Sequence, residues 1–118
     1  MSKDTLHIYT RAYINGSEDG GSLERQMESG IQKSKFLNMD YKVWHESGEY
    51  TSDVPLSNRP ILRELLRAVQ TGAVRQLFVW STDRLSSNEV LWNMIKYQYL
   101  VKHGVGLYLP TGQVNLND

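Results

Sequence analysis

The residues best suited to chemistry are three arginines, each standing where an apolar run gives way to polar residues. Arg11 follows the run over 6–10, Arg59 precedes Pro60, and Arg84 follows Asp83 just after Val79-Trp80-Ser81-Thr82. A guanidinium is planar, always charged and able to grip an oxyanion with two parallel hydrogen bonds, so three of them brought to one edge would suit a phosphate. Preorganised guanidinium groups can stabilise the negative charge of a bound phosphate. The stretch Val79-Trp80-Ser81-Thr82-Asp83-Arg84-Leu85-Ser86-Ser87-Asn88 is the most informative, because a strand pattern stops there at an Asp-Arg pair ahead of a helix start. Open α/β sheets place their chemistry at such carboxyl ends of strands.

Other residue sets offer less. His7, His45 and His103 are separated and lack ligand spacing, so they read as ordinary surface or helix-end histidines and no metal is expected. Glu46 and Asp83 both fall at strand ends, the pattern a metal-dependent nuclease would use, but two scattered carboxylates beside several arginines argue the other way. The glycines over 16–21 have neither the P-loop lysine nor dinucleotide spacing, so no nucleotide cofactor is implied. Trp44, Trp80 and Trp92 read as core or interface residues.

These side chains need elements to hold them. Residues 6–10 are β-formers, and the strand ends near 11–13 before a polar, glycine-rich loop over 16–21. Ser22 suits an N-cap, and Leu23, Met27 and Ile31 form the apolar side of the helix that follows, with Asn38 near its stop. Residues 41–45 make a second strand, and 46–58 read as a long polar connection of the kind that is often functional. Arg59-Pro60 opens a second helix, with the proline in the first turn and Ile61, Leu62, Leu65, Leu66 and Val69 as the buried stripe up to Gly72. A third strand spans 74–80. Ser86-Ser87-Asn88-Glu89 fits a capping box led by Ser86, opening a third helix that stops at Gly104. Residues 105–109 are a fourth strand, and from Pro110 onwards the chain reads as a polar tail. Strands alternating with helices predict an α/β fold: a flavodoxin-like, mostly parallel sheet of about four strands with helices on both faces.

Composition sets the limits. With 118 residues, 40% hydrophobic and 22% charged, the chain is one ordinary globular domain spanning 1–118. Its formal net charge is zero, so attraction to nucleic acid must come from a local arginine cluster. The absence of cysteine excludes disulfides and thiolate chemistry and is compatible with a reducing cytoplasm. No apolar signal core and no long apolar run is present, which argues against secretion and membrane spanning. The third helix is apolar around most of its circumference, through Val90, Leu91, Trp92, Met94, Ile95, Tyr97, Tyr99, Leu100 and Val101. Such a helix is either covered on several sides or part of a self-association surface.

Tyr9-x-Arg11, Ser22-Leu23-Glu24-Arg25-Gln26, Arg59-Pro60 and Asp83-Arg84-Leu85-Ser86 occur in the order and spacing of one family. Over nearly its whole length the chain resembles the N-terminal catalytic domain of the resolvase/invertase family of serine recombinases. That resemblance implies site-specific DNA cleavage and strand exchange without metal or nucleotide, through a phosphoserine link to the 5′ end and as a dimer or tetramer. It implies DNA as partner and Arg11, Arg59 and Arg84 as the phosphate-binding, catalytic arginines. Asp83 would orient the site, and Gln26 would lie beside the nucleophile. Family members continue into a long helix and a separate DNA-binding domain, whereas only 111–118 follow the fourth strand here, so weak DNA binding is expected of this chain by itself.

Two positions depart from the pattern. Tyr13 stands where Tyr-x-Arg-Val-Ser would place the nucleophilic serine, and Ser87 stands where Asp-Arg-Leu-Ser-Arg would end in a further arginine. Tyrosine attacks phosphodiesters in other enzymes, so Tyr13 is retained as a catalytic candidate. Its hydroxyl lies several ångströms further from the backbone, however, and reacting atoms must be held within roughly 3 to 3.5 Å. Ser17 and Ser22, from the longer loop, are poorer substitutes. Three function classes follow: a recombinase with an altered nucleophile, a catalytically silent interaction module that keeps the fold, and a small-anion or nucleotide-binding domain.

Overall fold

A computed structural model describes residues 4–13, 22–50 and 56–116, with 12, 13 and 47–50 described by their backbone alone. The elements run β1 (Thr5–Tyr13), α1 (Leu23–Phe36), β2 (Asp40–Tyr50), a 3₁₀ turn (Leu56–Asn58), α2 (Pro60–Gln70) and β3 (Gln76–Val79). A second 3₁₀ turn (Thr82–Arg84) leads to α3 (Glu89–Met94), which continues as a π-helix (Ile95–Val101) before β4 (Gly106–Leu109) and β5 (Gly112–Gln113). The sheet order is β2-β1-β3-β4-β5. The first four strands are parallel, and β5 turns back antiparallel on β4. The fold is therefore the flavodoxin-like α/β sheet expected, with one strand more.

Period-two alternation sorts the core onto two faces. Leu6, Ile8 and Phe78 face one way and gather Ile31, Met39, Val43 and Tyr108 under α1. Tyr9, Leu77, Val79 and Leu107 face the other way and meet Leu62, Leu65, Leu66 and Val69 of α2 with Ile95 and Leu100 of the third helix. The register Ile8↔Phe78↔Tyr108 and Tyr9↔Val79 keeps these sets in line across the sheet. Left-handed residues end the helices as their sequence signals predict: Asn38 at φ 57° after α1, Gly72 at 84° after α2 and Gly104 at 67° after the π-helix.

Several expectations need correction. The buried line of α1 is Gln26, Gly30 and Ser34, four residues apart, while Met27 is exposed and Leu23 and Ile31 are only half-buried. Close approach of helix to strand selects small residues there, and apolar periodicity misplaces the stripe by one position. β2 runs on through Glu46 to Tyr50, so the polar connection is shorter than 46–58. Its pairing with β1 shifts register between Arg11 and Ala12, where Arg11 faces Glu46 but Ala12 faces Glu49. That irregularity adds residues to β2 and hides the strand from a simple pattern.

The cap of α3 is Asn88, whose side chain accepts from the Leu91 N–H at 3.0 Å. Ser86 instead closes a turn, accepting from the Asn88 N–H at 3.0 Å, so the capping box does not form as expected. The segment after Pro110 is not a polar tail: it forms β5, and Leu116 joins the core at 7% exposure. His7 is no surface histidine. It is buried in β1, and its Nδ1 accepts from Trp44 Nε1 at 2.9 Å. The helix after Asn88 buries Ile95 and Leu100 and half-buries Leu91, Trp92, Met94, Tyr99 and Val101, but leaves Val90 and Tyr97 exposed.

Candidate functional site

The carboxyl edge of the parallel strands brings the singled-out arginines to one place. Arg11 lies on β1 two residues beyond Tyr9, Arg84 closes the turn after β3, and Arg59 is the N-cap residue of α2. All three side chains are buried, at 0, 1 and 0% exposure for Arg11, Arg59 and Arg84. Buried charges must be paired or hydrogen-bonded to persist, so their surroundings define the site.

Arg59 is held by both ends of its guanidinium fork. Its Nη1 donates to the Leu85 carbonyl, and its Nη2 donates to the Arg84 carbonyl and, at 2.9 Å, to the Tyr9 hydroxyl. The Tyr9 hydroxyl donates a hydrogen bond to Glu46 Oε1 at 3.0 Å. Glu46 in turn accepts the first free amides of α2, from Ile61 at 3.0 Å on Oε2 and from Leu62 at 2.9 Å on Oε1. A carboxylate at a helix N-terminus satisfies orphan N–H groups and meets the positive end of the helix dipole. Pro60 supplies no N–H, and Arg59 makes no side-chain cap, so Glu46 from a neighbouring strand caps this helix. Burial pushes the Tyr9 phenol well above its ordinary pKa of 10, and the opposing pull of Arg59 does not cancel it. Tyr9 is therefore a neutral donor and acceptor between a cation and a carboxylate.

The remaining candidates surround this chain of contacts. Gln26 is buried in α1 and pairs with both main-chain groups of Arg11: its Oε1 accepts from the Arg11 N–H at 3.2 Å, and its Nε2 donates to the Arg11 carbonyl at 2.9 Å. It thereby substitutes for a strand partner at the end of β1. Asp83 accepts from the Ser81 hydroxyl, and its Oδ1 lies 3.6 Å from Arg84 Nη1. Ser87 is exposed just before the α3 cap. Tyr13 ends β1 opposite Tyr50, and its side chain lies outside the described residues, as does Ser17. Ser22 is engaged as the α1 cap, its Oγ accepting from the Arg25 N–H at 3.2 Å.

Sequence reasoning missed Tyr9 and Glu46 as site residues. Tyr9 was visible in the Tyr-x-Arg motif, and Glu46 carried the signal of an acidic residue ending an apolar strand. Both Glu46 oxygens are committed to protein donors. Among the described residues no three His, Cys, Asp or Glu side chains come together as a metal-binding set, and no helix is long and apolar enough to cross a membrane. A cavity of about 450 Å³, lined by none of the three arginines, lies between the π-helix and the last strand, against Leu100, Val105, Gln113 and Leu116.

Comparison with known proteins gives the arrangement a family. No curated protein matches the chain. Among solved structures it is similar to the N-terminal catalytic domain of TP901-1 integrase, with a TM-score of 0.76 at 18% identity, over 92% of this chain and 79% of that one. It is also similar to the first open reading frame of transposon ISC1904 from Sulfolobus solfataricus P2, with a TM-score of 0.64 at 18% identity, over 97% and 70% of the two chains. A resolvase family site-specific recombinase from Streptococcus pneumoniae gives 0.61 at 20% identity, over 92% and 73%. These likenesses establish the fold, and the family model described as the resolvase N-terminal domain matches residues 8–118. With the arginine edge and these matches together, the chain belongs to the resolvase family, through its N-terminal domain.

Proposed function

We propose that this domain engages DNA phosphate in site-specific recombination and that its serine chemistry has been lost. The observation that carries this reading is the set of three buried arginines at one sheet edge, with Asp83 beside Arg84 and Gln26 fastened to the main chain of Arg11. Such an arrangement concentrates positive charge at the edge where an oxyanion would bind. The edge retains its positive charge while Tyr13 occupies the nucleophile position and Ser87 the position of a further arginine. A phenol hydroxyl in place of a serine hydroxyl is displaced by several ångströms, more than in-line attack tolerates. DNA is the partner, bound weakly by a chain of zero net charge with few phosphate contacts. The working form is a homo-oligomer, a dimer or tetramer, associating through the apolar helix that exposes Val90 and Tyr97, and its place is the cytoplasm.

The test is incubation with supercoiled DNA in the absence of metal, quenched with denaturing detergent. Binding without nicks or a covalent protein-DNA adduct is the expected result. An adduct that disappears in Tyr13→Phe would instead establish Tyr13 as an altered nucleophile.

A further inference from the structure

We infer that Arg59 is a positioning residue for Arg84, held in place from the edge strand β2 by Glu46 through the Tyr9 hydroxyl. The inference rests on the phosphate-binding reading of the edge and assigns Arg59 a place within it. An arginine meets phosphate best through two neighbouring N–H groups acting together. Both Nη2 hydrogens of Arg59 are spent, one on Tyr9 and one on the Arg84 carbonyl, and Nη1 donates to the Leu85 carbonyl. The fork made by Nη1 and Nη2 is closed on main-chain oxygens. The fork that Nε makes with Nη2 is closed as well, because Nη2 has no hydrogen left. With both forks closed, Arg59 is a staple across the turn and its guanidinium is not presented to a ligand.

That staple acts where it matters for Arg84. It grips the two consecutive carbonyls of Arg84 and Leu85, the points at which the Thr82–Arg84 turn leaves β3 and heads for α3. Fixing those carbonyls fixes the main chain from which the Arg84 side chain departs. Arg59 is itself located from two directions. Its own main chain is the N-cap of α2, whose first amides Glu46 holds, and its Nη2 meets the Tyr9 hydroxyl that Glu46 orients. Glu46 thus sets both ends of Arg59 at once.

The experiment uses the whole chain, a fluorescent short duplex of random sequence as the phosphate probe, and salt dependence as the readout. Removing a direct phosphate contact lowers the slope of log K against log salt by about one, whereas disturbing a positioning group weakens binding and leaves the slope. Arg84→Gln is expected to lower the slope. Tyr9→Phe is expected to leave it unchanged and to weaken binding by about fivefold, of the order of one net hydrogen bond, and Arg59→Gln, which removes three donated hydrogen bonds, to leave it unchanged and weaken binding further. Backbone amide resonances of Leu85 and Ser86 are expected to shift in Tyr9→Phe before any DNA is added.

A slope lowered by about one in Arg59→Gln, matching Arg84→Gln, overturns the inference. So does a Tyr9→Phe protein with unmoved Leu85 and Ser86 amides, or one whose amides move while affinity stays the same. If Arg59→Gln does not fold, Tyr9→Phe, which removes a single hydroxyl, decides. If the unaltered chain binds no duplex at any salt, the phosphate reading fails, and the amide shifts alone judge whether Arg59 positions the turn.

Discussion

Gly30 of α1 lies directly over Ile8 of β1. A β-carbon built on Gly30 would stand 2.6 Å from Ile8 Cγ2 and within 2.9 Å of its Cδ1. This contact sets the distance between α1 and the sheet, and through Gln26 one turn earlier it places the amide that binds Arg11. Alanine would gain about 1 kcal/mol of helix propensity over glycine. The overlap is with a branched, fully buried side chain that has nowhere to go, and overpacking of this kind costs about 1–3 kcal/mol. Gly30→Ala is therefore expected to lower stability on balance, with partial recovery on adding Ile8→Val, as read by urea denaturation.

Glu46 links three elements, and its removal should be felt as a capping and hydrogen-bond loss together. In Glu46→Gln an amide NH₂ is set against main-chain N–H donors of α2, leaving buried donors unsatisfied at about 1–3 kcal/mol. Thermal unfolding checks this. A double-mutant cycle with Tyr9→Phe is expected to be non-additive, because the two share the 3.0 Å hydrogen bond.

His7 gives stability a pH dependence. Burial first, and Lys42 second, hold its pKa below the ordinary 6.5, against a main-chain hydrogen bond to Ala73. The unfolded chain thus binds the proton more readily than the folded one. The stabilising contribution is complete above pH 6.5 and is lost as pH falls through the lower folded value. The urea midpoint is expected to drop between about pH 8 and pH 5.5, and His7→Gln is expected to flatten that drop.

The proposed function is tested by replacing Tyr13 and Ser87 with the residues that the family pattern has there. Tyr13→Ser with Ser87→Arg, in a chain joined to a DNA-binding domain, is expected to yield a covalent adduct with supercoiled DNA. Adding Arg84→Gln is expected to abolish it, since loss of a charge-stabilising donor costs roughly 2.7–4 kcal/mol of barrier. No adduct in the restored protein would mean that the scaffold has moved beyond catalytic geometry.

Leu116 closes the core after β5 at 7% exposure. Leu116→Ala is expected to cost about 2–4 kcal/mol, measured by chemical denaturation, because a buried leucine leaves both transfer and cavity terms behind. An exposed polar tail would give almost no change.

The order of the first four strands and the three helices, the α/β class, the helix stops at Asn38, Gly72 and Gly104, and the family motifs were all legible in the sequence. These are local matters: period-two and period-3.6 patterns, proline in a first turn and left-handed residues after a last one depend on neighbours in the chain. The three arginines could be singled out too, because each stands at a recognisable element boundary. Tertiary structure alone decided what they touch. That Gln26, Gly30 and Ser34 face the sheet depends on how closely α1 approaches Ile8, which no hydrophobic pattern encodes. That Glu46 caps a helix beginning at Pro60, and that Arg59 reaches the carbonyls of Arg84 and Leu85, requires three strands and a helix to converge at one edge. Leu116 reads as part of a polar tail until a two-residue strand folds it back onto the core. Hydrogen bonds between residues tens of positions apart are set by packing geometry. The sequence names the groups, and only the fold determines which of them face one another.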